Sequence, residues 1–207
     1  SKTMNLFFDR LGVMKKLLGI IILGLFLITP SQADDIRDFQ IEGMSIGDSL
    51  LDHFSKREIK NGLKTFYPGS NKFFIIEIKI SSEIYDSIML QVKSNDKKYK
   101  IYGLTGTKYF ENNIEDCYKL KNKITKEIGE LFVNVEKDSY KKKHSGDKTG
   151  KSTNTSDDFY FESGDYINIA CYDWSKKIEE EMNFMDHLRV GLLTDEFRDW
   201  LHNEAYK

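Results

Sequence analysis

The sequence predicts an α+β fold, with antiparallel sheet of about six strands packed by helices, in two loosely similar helix-plus-meander halves. Three observations predict it: apolar alternation at a period of two occurs in grouped runs, one long segment repeats its apolar residues at helical spacing, and short polar turns separate the strands.

Two helix starts come first. Ser45-Ile46-Gly47-Asp48 is a Ser-x-x-Asp variant of the capping box before Leu50, Leu51 and Phe54. Ser55-Lys56-Arg57-Glu58 is the fuller form before Ile59 and Leu63. Together they predict two short helices, tightly joined and ending near Phe66, with Pro68-Gly69-Ser70 as the break. A meander follows. Phe73 to Ile80 places Phe74, Ile76, Ile78 and Ile80 on one face. Tyr85 to Lys93 does the same with Ile88, Leu90 and Val92, and after the turn Ser94-Asn95-Asp96 a third strand runs from Lys98 to Tyr109.

Residues Asn113 to Phe132 carry the clearest helical pattern, with Ile114, Cys117, Leu120, Ile124, Ile128 and Leu131 on one stripe and Lys119, Lys123 and Lys126 away from it. After a polar stretch from Tyr140 to Asp157, a second meander is expected. It runs from Phe159-Tyr160-Phe161 through the turn Ser163-Gly164-Asp165 to a strand from Tyr166 to Trp174, where Ile167, Ile169 and Cys171 share a face. A further strand, Asp186 to Leu193, turns Leu188, Val190 and Leu192 inward. Thr194 caps a last helix carrying Phe197, Trp200 and Leu201.

The chain divides into three parts. Lys15 and Lys16, the apolar run Leu17 to Ile28, and small residues at Ser31 and Ala33 before Asp34-Asp35 form the pattern of a secretory signal over residues 14–33. The apolar run is shorter than the ~20 residues that span a bilayer. An uncleaved anchor is the alternative, and it would be the chain's one contact with a membrane. Met14 reads as the natural start, leaving 1–13 as an upstream extension, and 34–207 as a single domain. A periplasmic or secreted location follows.

Of 31 basic and 33 acidic residues, the first 33 positions hold Lys2, Arg10, Lys15, Lys16 and Asp9, so the remainder is acidic by five charges. That balance argues against a nucleic-acid partner. The two cysteines, Cys117 and Cys171, both lie on inward faces, and outside the cytosol they are most simply a disulfide. Such a link would stabilise by about 4 kcal/mol on the chain-entropy account. A reactive thiol is the alternative.

Gly146-Asp147-Lys148-Thr149-Gly150-Lys151-Ser152 imitates a phosphate loop, with three residues between its glycines where four are required and neither a buried strand before nor a helix after. It reads as a mobile hairpin loop, and no cofactor is expected. Lys141, Lys142, Lys143 and His144, with Lys148 and Lys151, form the one dense basic cluster. As a candidate binding loop it suits an envelope protein or an anionic surface; as an ordinary solvated loop it needs no partner. The histidines His53, His144, His187 and His202 show no zinc-binding spacing, though a site could assemble in space. His187, alternating with Arg189, reads as an exposed or satisfied sheet position. No Gly-x-Ser-x-Gly elbow exists, and Asp157-Asp158 and Glu179 to Glu181 read as solvated edges. Tyr166, Tyr172 and Trp174 could line an outward sheet face suited to a sugar or peptide, or pack beneath a helix.

The stretch Ile41 to Leu50 resembles the opening of helix-pair-plus-meander modules in β-lactamase-inhibitor-like proteins and small outer-membrane assembly lipoproteins, over about sixty residues. Those lipoproteins carry a lipidated cysteine that this chain lacks. The stretches Asp38 to Leu50, Gly146 to Ser152 and Cys171 to Ser175 resemble a family of small exported bacterial proteins of unknown function, a likeness that implies no activity. The expectation is therefore an exported, non-enzymatic envelope binding or assembly module, with an exported hydrolase whose site assembles only in three dimensions as the alternative.

Overall fold

The described residues build one antiparallel sheet of eight strands, in the order β1-β2-β3-β4-β8-β7-β6-β5. The strands are β1 Leu63–Phe66, β2 Phe73–Glu77, β3 Ser87–Lys93, β4 Ile101–Tyr109, β5 Glu136–Lys143, β6 Thr153–Tyr160, β7 Tyr166–Asp173 and β8 His187–Leu193. The helices are α1 Lys56–Asn61, α2 Ile114–Leu131, α3 Lys176–Met182 and α4 Asp195–Asn203. The computed structural model describes residues 35–78, 82–111 and 113–207. The expected signal segment 14–33, the extension 1–13 and Ile80 lie outside the described residues.

Two four-stranded meanders, β1–β4 and β5–β8, meet where β4 pairs with β8, Thr105 opposite Gly191 and Thr107 opposite Arg189. The α+β class and antiparallel sheet stand, but the strand count is eight rather than about six. The two strands missed, β1 and β5, are the sheet's edges. All four residues of β1 are exposed, and β5 is exposed but for partly buried Tyr140. A strand that buries neither face carries no apolar alternation to read.

Alternation sorts the inner strands onto two faces. Phe74, Ile76, Ile88, Leu90, Val92, Leu104, Ile167, Ile169, Leu188, Val190 and Leu192 turn to one side and are buried, as expected. Helix α2 lies over β7 and β8 on that side, adding Cys117, Ile124 and Ile128. Cys117 and Cys171 form a disulfide with Cα atoms 6.1 Å apart, tying α2 to β7.

The expected helix pair is corrected. Asp48 Oδ2 does accept from Ser45 N at 2.8 Å, yet no helix follows. Gly47 turns back at φ +94°, its N–H donates to Ile101 O at 2.8 Å, and Ile101 N donates to Asp48 O at 2.9 Å. This segment is recruited to the start of β4, and only a 3₁₀ turn, Leu50–Asp52, remains of the first helix. The second helix has the full capping box at Ser55 and Glu58 but stops at Asn61. Gly62 lets the chain pass close to β2, where a Cβ would sit 2.7 Å from Ile76 Cγ2. Residues expected at the helix end therefore form β1.

Helix α4 is capped by Thr194, as expected, and packs on the opposite face. There Phe197 and Trp200 meet Phe73 and Ala205, flanked by Tyr67, Tyr102 and Leu193. Tyr102 reaches that side because the β3–β4 register shifts between Gln91 and Val92.

Candidate functional site

The basic run is not a loop. Lys141, Lys142 and Lys143 lie in β5, and alternation divides them between faces. Lys141 Nζ stands 5.8 Å from the ring centroid of Tyr118 on α2, whereas Lys142 Nζ lies over Tyr140 on the opposite side, at 4.5 Å. Lysines along an exposed edge discourage pairing with a stray strand, which accounts for the run without a ligand. Lys148 and Lys151 are exposed in the β5–β6 connection.

That connection is organised around Asp147, only 4% exposed. Its carboxylate accepts from Thr149 N (2.8 Å), Thr149 Oγ1 (2.8 Å), Ser152 N (2.9 Å), Ser152 Oγ (2.7 Å) and Ser175 Oγ (2.9 Å). Hydrogen bonds from Ser152 and Thr149 hold Asp147 far below the usual carboxylate range. The phosphate-loop likeness thus resolves into an aspartate-centred turn, and the expected mobile hairpin loop is a tied one. Ser175 precedes α3, but its hydroxyl is committed to Asp147 and it does not cap that helix.

Asp157 and Asp158 are both buried, which corrects their reading as solvated edges. Asp157 faces α2, where it pairs with Lys121 and accepts from Ser139 Oγ and, at 2.7 Å, from Thr125 Oγ1. Burial alone would raise its pKa; the bonds from Lys121, Ser139 and Thr125 outweigh burial and hold it low. Lys121 sits between Cys117 and Ile124 on the apolar stripe, a position at which a lysine signals a buried partner.

Asp158 faces away from α2. It accepts from Asn168 Nδ2 and from Tyr160 OH at 3.2 Å, but here burial dominates and pushes its pKa up. This second face of β5–β8 also carries Tyr140, Tyr166 and Tyr172, with Tyr160 and Tyr166 stacked at a centroid distance of 6.0 Å. Tyr172 stacks on His187 at 4.8 Å, and Trp174 is 4.6 Å from His144 and 4.9 Å from Phe184. The outward aromatic face expected from Tyr166, Tyr172 and Trp174 therefore exists, and His144 joins it.

His187 is buried at 6% exposure. Its Nδ1 is 2.8 Å from Met185 O and 3.4 Å from Trp174 Nε1, and its Nε2 has no partner. Burial brings its pKa down to about 4, with Arg189 and His144 adding to the effect. The Arg189 guanidinium lies over the Tyr172 ring at 5.1 Å, and its buried Nε is likewise unpartnered. These two residues were read only as a sheet alternation. The missed signal was the coincidence of His187, Arg189, Tyr172 and Trp174 on strands now seen to be neighbours.

A separate cleft of about 690 Å³ lies where Asp35, Arg37 and Gly47 meet the β6–β7 turn. It gathers Glu136, Glu162 and Asp165 with Lys100, without a histidine. Among the described residues, no three His, Cys, Asp or Glu side chains converge as a metal site would require, and no helix is long and apolar enough to cross a membrane.

No family model matches the chain, and neither the curated proteins nor the solved structures provide a match.

Proposed function

We propose that this chain is an exported, non-enzymatic envelope binding or assembly module that engages its partner through the β5–β8 face opposite α2. One observation carries the reading. Tyr140, Tyr160, Tyr166, Tyr172 and Trp174 share a partly exposed surface with hydrogen-bonding atoms of Thr107, His187 and Arg189 that are buried yet unpartnered. Buried polar atoms without partners are uncommon in folded proteins, and aromatic surfaces with polar handles are what binding faces use. The export half of the proposal is supported by the Cys117–Cys171 disulfide, which suits an oxidising compartment.

Photo-crosslinking in the producing cell tests it. A crosslinking residue in place of Tyr166 is expected to give discrete adducts with envelope components, and one in place of exposed Lys126 on α2 is expected to give none. Equal adducts from both positions, or none from Tyr166, would remove the proposal.

A further inference from the structure

We infer that Arg189 anchors a carboxylate-binding site on this face, and that its occupant is an acidic peptide segment with an apolar residue beside the acid. The inference rests on the binding-module reading above and names the class of partner.

Arg189 sits mid-strand in β8, opposite Thr107 of β4 and Ala170 of β7. Arg37 and Arg198 are each paired with an aspartate, Asp35 and Asp195. Among the described residues Arg189 has no carboxylate partner; its guanidinium lies over the Tyr172 ring, and its charge acts on His187 and His144. A guanidinium beside a ring keeps its planar fork of N–H donors available for two parallel hydrogen bonds to a planar carboxylate. Thr107, 2% exposed, is its cross-strand neighbour, and Thr107 Oγ1 is buried without a partner. Leaving such groups unsatisfied destabilises the free protein, a cost an arriving ligand can relieve.

A carboxylate is favoured over a phosphate because the other cations on this side are already matched, Arg198 by Asp195 and Lys142 by Asp158, and Asp138 adds a further negative charge there. A second negative charge would go unmatched. A peptide is favoured over an acidic sugar for two reasons. First, the closer contact of His187 Nδ1, at 2.8 Å to Met185 O, makes Nδ1 the donor and leaves Nε2 an acceptor, which a backbone N–H can fill. Second, the rim is apolar: Tyr109, Phe184 and Met185 are exposed at 40%, 42% and 39%. Tyr109 stands 5.9 Å from His187, Phe184 packs on Trp174, and the Met185 carbonyl meets His187 Nδ1. Exposed aromatic rings and a flexible methionine suit apolar peptide side chains.

The test is an NMR titration of the disulfide-intact protein with the blocked peptide acetyl-Phe-Glu-Leu-amide. Its glutamine counterpart, glucuronate and inorganic phosphate serve as separate arms. Saturable shifts at the Arg189 Nε–H and at the Thr107 and His187 amides are expected with the glutamate peptide, with affinity at least tenfold above the glutamine peptide. Arg189→Gln should abolish the difference while keeping the wild-type melting temperature. Arg189→Lys, which keeps the charge without the planar fork, should retain part of it and serves if Arg189→Gln does not fold. Equal binding of the two peptides, or an unchanged glutamate preference in Arg189→Gln, would overturn the site. Binding of glucuronate or phosphate as tight as the peptide would overturn the peptide assignment. Tyr166 crosslinks that persist in Arg189→Gln would show a partner on this face with a different anchor, so the two proposals fail separately.

Discussion

Asp157 and Asp158 are adjacent in β6, are buried to a similar degree, and behave oppositely. Strand alternation aims Asp157 at α2, where Lys121, Thr125 and Ser139 complete its hydrogen bonding. Asp158 points to the open face, where Asn168 and Tyr160 only partly offset its burial. The same contrast holds for the cations. Lys121 on the helix side has its carboxylate, whereas Arg189 on the open side has an aromatic ring and none among the described residues. Unpartnered buried atoms occur on both sides, Tyr118 OH, Glu127 Oε2 and Thr155 Oγ1 on the helix side and Thr107 Oγ1, His187 Nε2 and Arg189 Nε on the open side, so the contrast lies in the cations: Lys121 has its carboxylate and Arg189 does not. On the proposed reading the paired charges hold the fold together and the unpaired cation serves binding.

The sharpest way to break this comparison is to remove Lys121. Lys121→Met strands Asp157 as a buried charge, and unfolding titrations should show a loss of about 3–5 kcal/mol. The double variant Lys121→Met/Asp157→Leu should recover most of it, because no charge is then left buried. A single variant within 1 kcal/mol of the wild type would show that the pair is not the clamp described.

A smaller effect is expected from His187, the open-face group that burial keeps neutral. Its folded pKa of about 4 lies below the ordinary value of 6.5. As pH falls from 6.5, the unfolded chain takes up a proton that the folded chain refuses, so stability declines until the folded pKa is reached. At 1.36 kcal/mol per unit this amounts to roughly 3 kcal/mol. His187→Gln should reduce the loss of stability between pH 6.5 and 4; what slope remains is set by His144, whose lowered pKa acts in the same direction, against Asp158 and Asp186, whose raised pKa values act in the opposite one. An unchanged slope would mean that His187 is not shielded as described.

How much of this was legible depended on whether a residue's neighbours were close in sequence. The strands that bury one face, with Ile88-Leu90-Val92 or Leu188-Val190-Leu192, were legible, as was α2 from its stripe, and the cysteine pairing followed from both being inward. The edges β1 and β5 were not, because exposed strands leave no pattern. Helix α3 was also missed: none of its residues is buried, so it has no apolar stripe. The candidate site was legible in its rings, Tyr166, Tyr172 and Trp174, but not in its polar centre. Thr107 and Arg189 are 82 positions apart and meet only because β4 pairs with β8 across the junction of the two meanders. Lys141 to Lys143 misled for the converse reason: three neighbours in sequence are split by a strand between two surfaces.

The most direct test of the contrast is the unfolding free energy of Asp158→Asn at neutral pH, set beside Asp157→Asn. Asparagine at 158 can still accept from Asn168 and sheds a buried charge, so stability should be unchanged or higher by up to about 1 kcal/mol, whereas Asp157→Asn should be clearly destabilised by stranding Lys121. Equal losses in the two variants would contradict the division of the sheet into a structural and a functional face.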